Sequence, residues 1–124
     1  MYFSPTTDPR LFRCACERPD CPAPPPEPRL LERLEAWRAS LGRPLIVTSG
    51  PRCPEFNRLV GGVPDSAHLR GEAADLQAVA GPQRYAMLRS VFEYFDRIGV
   101  GPTFLHVDIA SDKPHPVVWV YHGD

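Results

Sequence analysis

The stretch CPAPPPEP, residues 21–28, decides the layout of this chain before any other feature does. Proline fixes φ, has no N–H to donate, and steers the residue before it away from the α region. Five prolines within eight positions therefore fit neither a helix interior nor a central strand. The segment is a stiff connector. It divides the 124 residues into a cysteine- and proline-rich N-terminal piece, 1–28, and a domain, 29–124, on which that piece is expected to pack. A chain of this length builds one modest core, so an active site must share that core.

Hydrophobic residues make up 43% and charged residues 23%, and the formal net charge is −1. That balance suits a soluble globular domain and lacks the basic excess that nucleic acid or an anionic membrane surface would select. Neither is expected as a partner, and a monomer is expected. No stretch is apolar enough to insert in a membrane. The opening MYFSPTTDPR carries an aspartate and two prolines where a secretory leader needs an apolar run, so synthesis in the cytoplasm without a cleavable signal is expected.

In PRLLERLEAWRASLG, Leu30, Leu31, Leu34, Trp37 and Leu41 recur at helical spacing, with Pro28 at the start and Gly42 as a stop. PLIVTSG reads as a buried strand that delivers a loop, and CPEFNRLVGG as one or two helical turns ended by Gly61 and Gly62. In GEAADLQAV, alternation puts Ala73, Asp75 and Gln77 on one side of a strand and Ala74 and Leu76 on the other. PQRYAMLRSVFEYFDRIG reads as a second helix, with Tyr85, Leu88, Val91, Phe92 and Phe95 on its stripe and Gly99 as its stop. Further strands are expected in TFLHVDIA and PVVWVYH. The class is α+β, with two main helices on a small, mostly antiparallel sheet.

The four cysteines are Cys14, Cys16, Cys21 and Cys53. An even count in a short chain allows disulfides, while the lack of a secretory signal favours reduced thiols. Four thiolates also suit a structural zinc, although C-x-C-x4-C is not a usual finger spacing. Spacing alone leaves the three states open.

Alternation in FLHVD sends Phe104, His106 and Asp108 to one face. His68 and Asp75 form a second histidine–carboxylate pair, with room left beside them by Gly71 and Ala73. Two imidazoles and a carboxylate are the donors a catalytic zinc uses, with a fourth position left for water. His68, Asp75 and His106 make that set, and Asp108 is then either a general base or the partner that orients an imidazole. The converse assignment, Asp108 on the metal and His106 as acid–base group, also stands, although imidazole is the commoner zinc donor. Manganese or iron would accept the same donors. Singly, each residue has an ordinary explanation as a surface histidine or a turn carboxylate. Their grouping among small and apolar neighbours, where an unpaired carboxylate is costly to bury, argues for one shared site.

An ordered run of motifs extends this group: S-G-x-R-x4-N, then G-G, then S-x-H-x2-G-x-A-x-D, and later H-x-D. It is met by Ser49, Gly50, Arg52, Asn57, Gly61, Gly62, Ser66, His68, Gly71, Ala73, Asp75, His106 and Asp108. On these residues the chain resembles the zinc D-Ala-D-Ala carboxypeptidases and peptidoglycan endopeptidases, a family with many phage endolysins, over residues 29–121. The resemblance implies the hedgehog-like α+β fold of that family, zinc at His68, Asp75 and His106, Arg52 near the substrate, and Asp108 assisting catalysis. It implies supporting roles for Ser66 and Asn57, and for Trp119 as a wall of the cleft. Peptidoglycan stem peptides are the implied partner, reached by phage-type release in the absence of a signal. Two departures stand out: Phe56 occupies a position where relatives often carry histidine, and His-x-Asp replaces the His-x-His of some branches. The expected reaction is hydrolysis of a peptide bond in stems or cross-links. A catalytically inactive, zinc-containing wall-binding module and a phage structural module are its rivals.

Overall fold

In the computed structural model, which describes residues 2–3, 12–16, 18–79 and 81–121, helix α1 (Pro28–Leu41) starts at the end of the proline connector. Pro28 supplies the φ of a first helical turn, where a missing N–H costs nothing. Leu30, Leu34 and Trp37 are buried along one stripe, and Leu31 and Leu41 pack half-buried beside them. Gly42 ends the helix in the left-handed region, at φ 71°, with its N–H on the Arg38 carbonyl. The chain then enters β2 (Leu45–Ser49), α2 (Pro54–Leu59), a single 3-10 turn (Ala67–Arg70) and β3 (Ala73–Gln77). After these come α3 (Pro82–Val91), β4 (Arg97–Val100), β5 (Phe104–Asp108) and β6 (Val117–Val120). A two-residue strand, β1 (Tyr2–Phe3), pairs with β2 at the sheet edge.

The strands lie in the order β1-β2-β3-β5-β4-β6. The sheet is mixed, which corrects the expectation of a mostly antiparallel one. β6 runs parallel to β4, with Arg97 opposite Val117 and Val100 opposite Val120, while the other neighbours are antiparallel. The cause lies in the connection after β5. It passes the start of β4, where the Val117 N–H bonds to the Asp96 carbonyl, and so enters β6 in the direction of β4.

The second helix is also shorter than its sequence suggests, ending at Val91. Met87 and Val91 face the core, but Tyr85 and Phe92 stand 65% and 57% exposed, so the expected stripe is not a continuous buried one. The chain turns after Val91, and Gly99 lies in β4 instead of stopping a helix. Its missing side chain serves a contact across the sheet. A Cβ there would come within 2.7 Å of Trp119 Nε1 and 2.6 Å of Tyr121 Cε2.

One face of the sheet carries Leu45, Val47, Ala74, Leu76, Ile98, Leu105 and Val107 against the helices. Trp37 joins the two main helices by donating its indole N–H to Ser90 Oγ at 2.8 Å, and packs edge-on against Phe95. The N-terminal segment enters the same core through Phe12, which is fully buried. Its connector lies against the turn at Gly71, where the Glu27 N–H bonds the Gly71 carbonyl at 2.9 Å. A Cβ on Gly71, whose φ is 73°, would sit 2.3 Å from the Pro25 carbonyl oxygen. Among the described residues, no helix is long and apolar enough to cross a membrane.

Burial separates two leucines that look alike in the sequence. Leu76 is fully buried in β3, and Leu59 is 76% exposed at the end of α2. Leu76→Ala is expected to cost about 2–5 kcal/mol, and Leu59→Ala no more than about 0.5 kcal/mol. Urea unfolding midpoints at unchanged slope measure both.

Candidate metal centre

The site lies on the face of the sheet turned away from the helices. Antiparallel pairing of β3 with β5 sets Asp75 opposite His106 and Ala73 opposite Asp108. Directly opposed residues have Cβ atoms about 4.5–5.5 Å apart, so the register itself brings a carboxylate to an imidazole. His106 Nδ1 lies 2.9 Å from Asp75 Oδ1. His68 arrives from the other direction, in the 3-10 turn. Ser66 caps that turn by accepting the His68 N–H at 3.2 Å, and Gly71 closes it in the left-handed region. The turn buries the His68 ring, with Nε2 3.2 Å from the same Asp75 oxygen. The ligand atoms of His68, Asp75 and His106 lie within 4.8 Å of one another.

Each member of the trio has its other polar atom held. His68 Nδ1 is 2.8 Å from the Gly50 carbonyl, which only accepts, so Nδ1 carries the proton and Nε2 is left with its lone pair. His106 Nε2 donates to Asp108 Oδ2 at 2.7 Å, which leaves Nδ1 toward Asp75. The second oxygen of Asp75 faces Arg52 Nη2 at 3.3 Å. Two imidazoles and one carboxylate, each oriented by an outer partner, fit the donor set and the supporting shell of a protein-bound zinc.

Electrostatics fit the same reading. Burial works against the Asp75 carboxylate, but the hydrogen bonds from His106 and His68 outweigh it and hold its pKa well below the usual range. Burial likewise opposes a charged His106, yet Asp108 and Asp75 together raise its pKa. Burial opposes the Asp108 carboxylate, but the hydrogen bond and charge of His106, the Ala110 N–H and Arg97 together hold its pKa below the usual carboxylate range. Asp75 is thus held ionised, the form in which a carboxylate can bind a divalent ion.

Asp108 is 1% exposed and both of its oxygens are engaged. Oδ2 accepts from His106, and Oδ1 accepts from Arg97 Nε at 2.6 Å and from the Ala110 N–H at 3.1 Å. Arg97 also lies 5.1 Å over the Trp119 ring. Arg52 donates Nε to Ser49 Oγ at 3.0 Å and Nη1 to Asn57 Oδ1 at 3.1 Å. Asn57 in turn donates to the Val63 carbonyl at 2.8 Å. Gly62 leaves space for this contact, since a Cβ there would sit 2.0 Å from Asn57 Oδ1.

Above these residues opens a cleft of about 530 Å³, lined among others by Arg52, Ser66, His68, Asp75, His106 and Trp119. The Trp119 ring centre is 5.4 Å from that of His106. Tyr121 and Arg97 line the cleft as well, and sequence reasoning passed over both. Tyr121 was signalled by its place two residues beyond Trp119 in a strand pattern, on the same face. Arg97 was hidden inside the segment that reads as helix.

A family model described as Peptidase M15 matches residues 7–108, a span that contains the three candidate ligands together with Arg52, Asn57, Ser66 and Asp108. Among curated proteins, no sequence matches the chain.

The Arg97–Asp108 pair is buried on both sides, with side-chain exposures of 11% and 1%. Removing the cation strands a buried charge, so Arg97→Met is expected to cost about 3–5 kcal/mol. Adding Asp108→Asn should restore part of that loss. Denaturant unfolding of the single and double variants is the measurement.

Proposed function

The chain belongs to the peptidase M15 family, and we propose that it is a zinc-dependent peptidase that hydrolyses peptide bonds of peptidoglycan, in the stem or in its cross-links. The observation that carries this reading is the convergence of His68, Asp75 and His106 at a cleft, each with its second polar atom fixed by Gly50, Arg52 or Asp108. Zinc held by these three residues supplies Lewis acidity, polarising a peptide carbonyl and making water ionisable near neutral pH.

The chain's own residues do the rest. A guanidinium has five N–H bonds, and among the described residues three of those on Arg52 are engaged by Ser49, Asn57 and Asp75. The remainder serve a substrate carbonyl or carboxylate, and the fixed charge favours the oxygen that becomes negative as the carbonyl carbon turns tetrahedral. Burial lowers the Arg52 pKa and the Asp75 charge partly offsets this.

His68 keeps its proton on Nδ1 through Gly50, and His106 keeps its proton on Nε2 through Asp108. Of the two roles the sequence leaves open for Asp108, general base or partner that orients an imidazole, this reading takes the second, because both its oxygens are already accepting hydrogen bonds. Ser66 and Asn57 hold the two loops that carry His68 and Arg52. Trp119 and Tyr121 wall the cleft beside His106. A terminal D-Ala and an internal bond are both within this chemistry, and phage-type release to the wall belongs to the same proposal. A zinc-containing module without turnover is less favoured, because an arginine stands ready beside the ligands.

Zinc-loaded protein incubated with peptidoglycan is expected to release new amine groups, and product masses separate terminal from internal cleavage. His68→Ala should lose both this zinc and the activity. Asp108→Asn should weaken zinc affinity about 10–100-fold, with activity recovering as zinc is raised. Stoichiometric zinc at the trio with no cleavage of peptidoglycan or of D-Ala-D-Ala peptides would overturn the enzyme reading.

A further inference from the structure

The four cysteines converge outside the cleft, although they come from two distant parts of the chain. Cys14, Cys16 and Cys21 belong to the N-terminal segment and Cys53 to the loop after β2, yet their sulfurs all lie within 4.8 Å of one another. All four are free thiols, and Cys14 and Cys53 are buried. Cys14 Sγ and Cys53 Sγ are 3.9 Å apart. A disulfide needs about 2.05 Å between its sulfurs. Two sulfurs bound tetrahedrally to one zinc at about 2.3 Å stand about 3.8 Å apart. The observed separation matches the shared ion.

The surroundings suit thiolates as well. The Cys53 N–H points to Cys14 Sγ and the Phe56 N–H to Cys53 Sγ, each at 3.4 Å. Arg18 Nη2 lies 3.9 Å from Cys53 Sγ. Donors of this kind stabilise sulfur as an anion, and the arginine offsets part of the excess negative charge of four thiolates around a divalent ion. The irregular spacing within the N-terminal segment is no obstacle, because the fourth ligand comes from elsewhere.

We propose that Cys14, Cys16, Cys21 and Cys53 form a second, structural zinc site that staples the N-terminal segment to the loop carrying Arg52. Binding exchanges the thiol protons, which leave to solvent, for the ion. The position gives the staple its purpose. Cys53 follows Arg52 directly, and the same loop holds Gly50, whose carbonyl orients His68. Phe12 presses on this loop from the same segment, 3.0 Å from where a Gly50 Cβ would be. The ion and the phenyl ring together fix a loop that serves both Arg52 and His68.

Metal content of the full chain, purified without chelator, tests this. About two zinc ions per chain are expected, about one in His68→Ala and about one in the Cys16→Ser/Cys21→Ser double variant, chosen because those two thiols are only partly buried. Loss in the first variant reports the cleft alone and loss in the second the thiols alone, so the two readings fail separately. Should the double variant not fold, cobalt loaded into the unaltered protein must show an intense thiolate-to-cobalt charge-transfer band. Titration with a mercurial must abolish it. The proposal is overturned by equal zinc in the unaltered protein and the double variant, by cobalt-loaded protein without that band, or by an intact mass showing two disulfides and no metal at the thiols.

Discussion

The register between β3 and β5 is the constraint on which the rest of the structure depends. Asp75 faces His106 because Leu76 faces Leu105 and Ala74 faces Val107. Side chains alternate along a strand, so a slip of one residue would turn the apolar set outward and the polar set into the core. Burial of the leucines, valine and alanine against α1 and α3 therefore selects the one pairing in which a carboxylate and an imidazole share the open face. The hydrophobic effect, which knows nothing of chemistry, assembles two of the three candidate ligands. The third is added by a turn with its own local logic, a serine cap and a left-handed glycine.

Placing carboxylates in a small domain carries an electrostatic cost, and the structure meets it with layers of partners. Asp75 is surrounded by two imidazoles and Arg52, and Asp108 by His106, Arg97 and a backbone N–H. These contacts link the ligands into one network that runs from Asn57 on α2 to Trp119 on β6. Its rigidity rests on the same residues that would tune a bound ion. Geometry and electrostatics are consequently hard to alter independently in this site.

Much of this was legible in the sequence, for physical reasons that differ from element to element. α1 announced itself because its apolar period, its initial proline and its final glycine all agree. β3 and β5 could be read from alternation, and with them the shared face of His106 and Asp108 and the Asp75 side of its strand. The segment after Met87 misled because Phe92 and Phe95 continue a helical period while only Phe95 is buried. Strand β4, and the role of Arg97 with it, follow from ladder pairing that no local pattern encodes. The parallel entry of β6 depends on the path of a loop. The meeting of Cys53 with three cysteines before the proline run is likewise a tertiary event, visible only once Phe12 has its place in the core.

That place has a consequence for how the chain can be cut. The proline connector looks like a natural boundary, and the helix after it begins cleanly at Pro28. Trimming there would remove Phe12 along with the segment and open a hole the size of a phenyl ring beneath Gly50. The loop bearing Arg52 would lose the surface it leans on. Residues set apart by sequence are thus a plug in the middle of the fold, and the smallest intact unit starts well before the helix at Pro28 does.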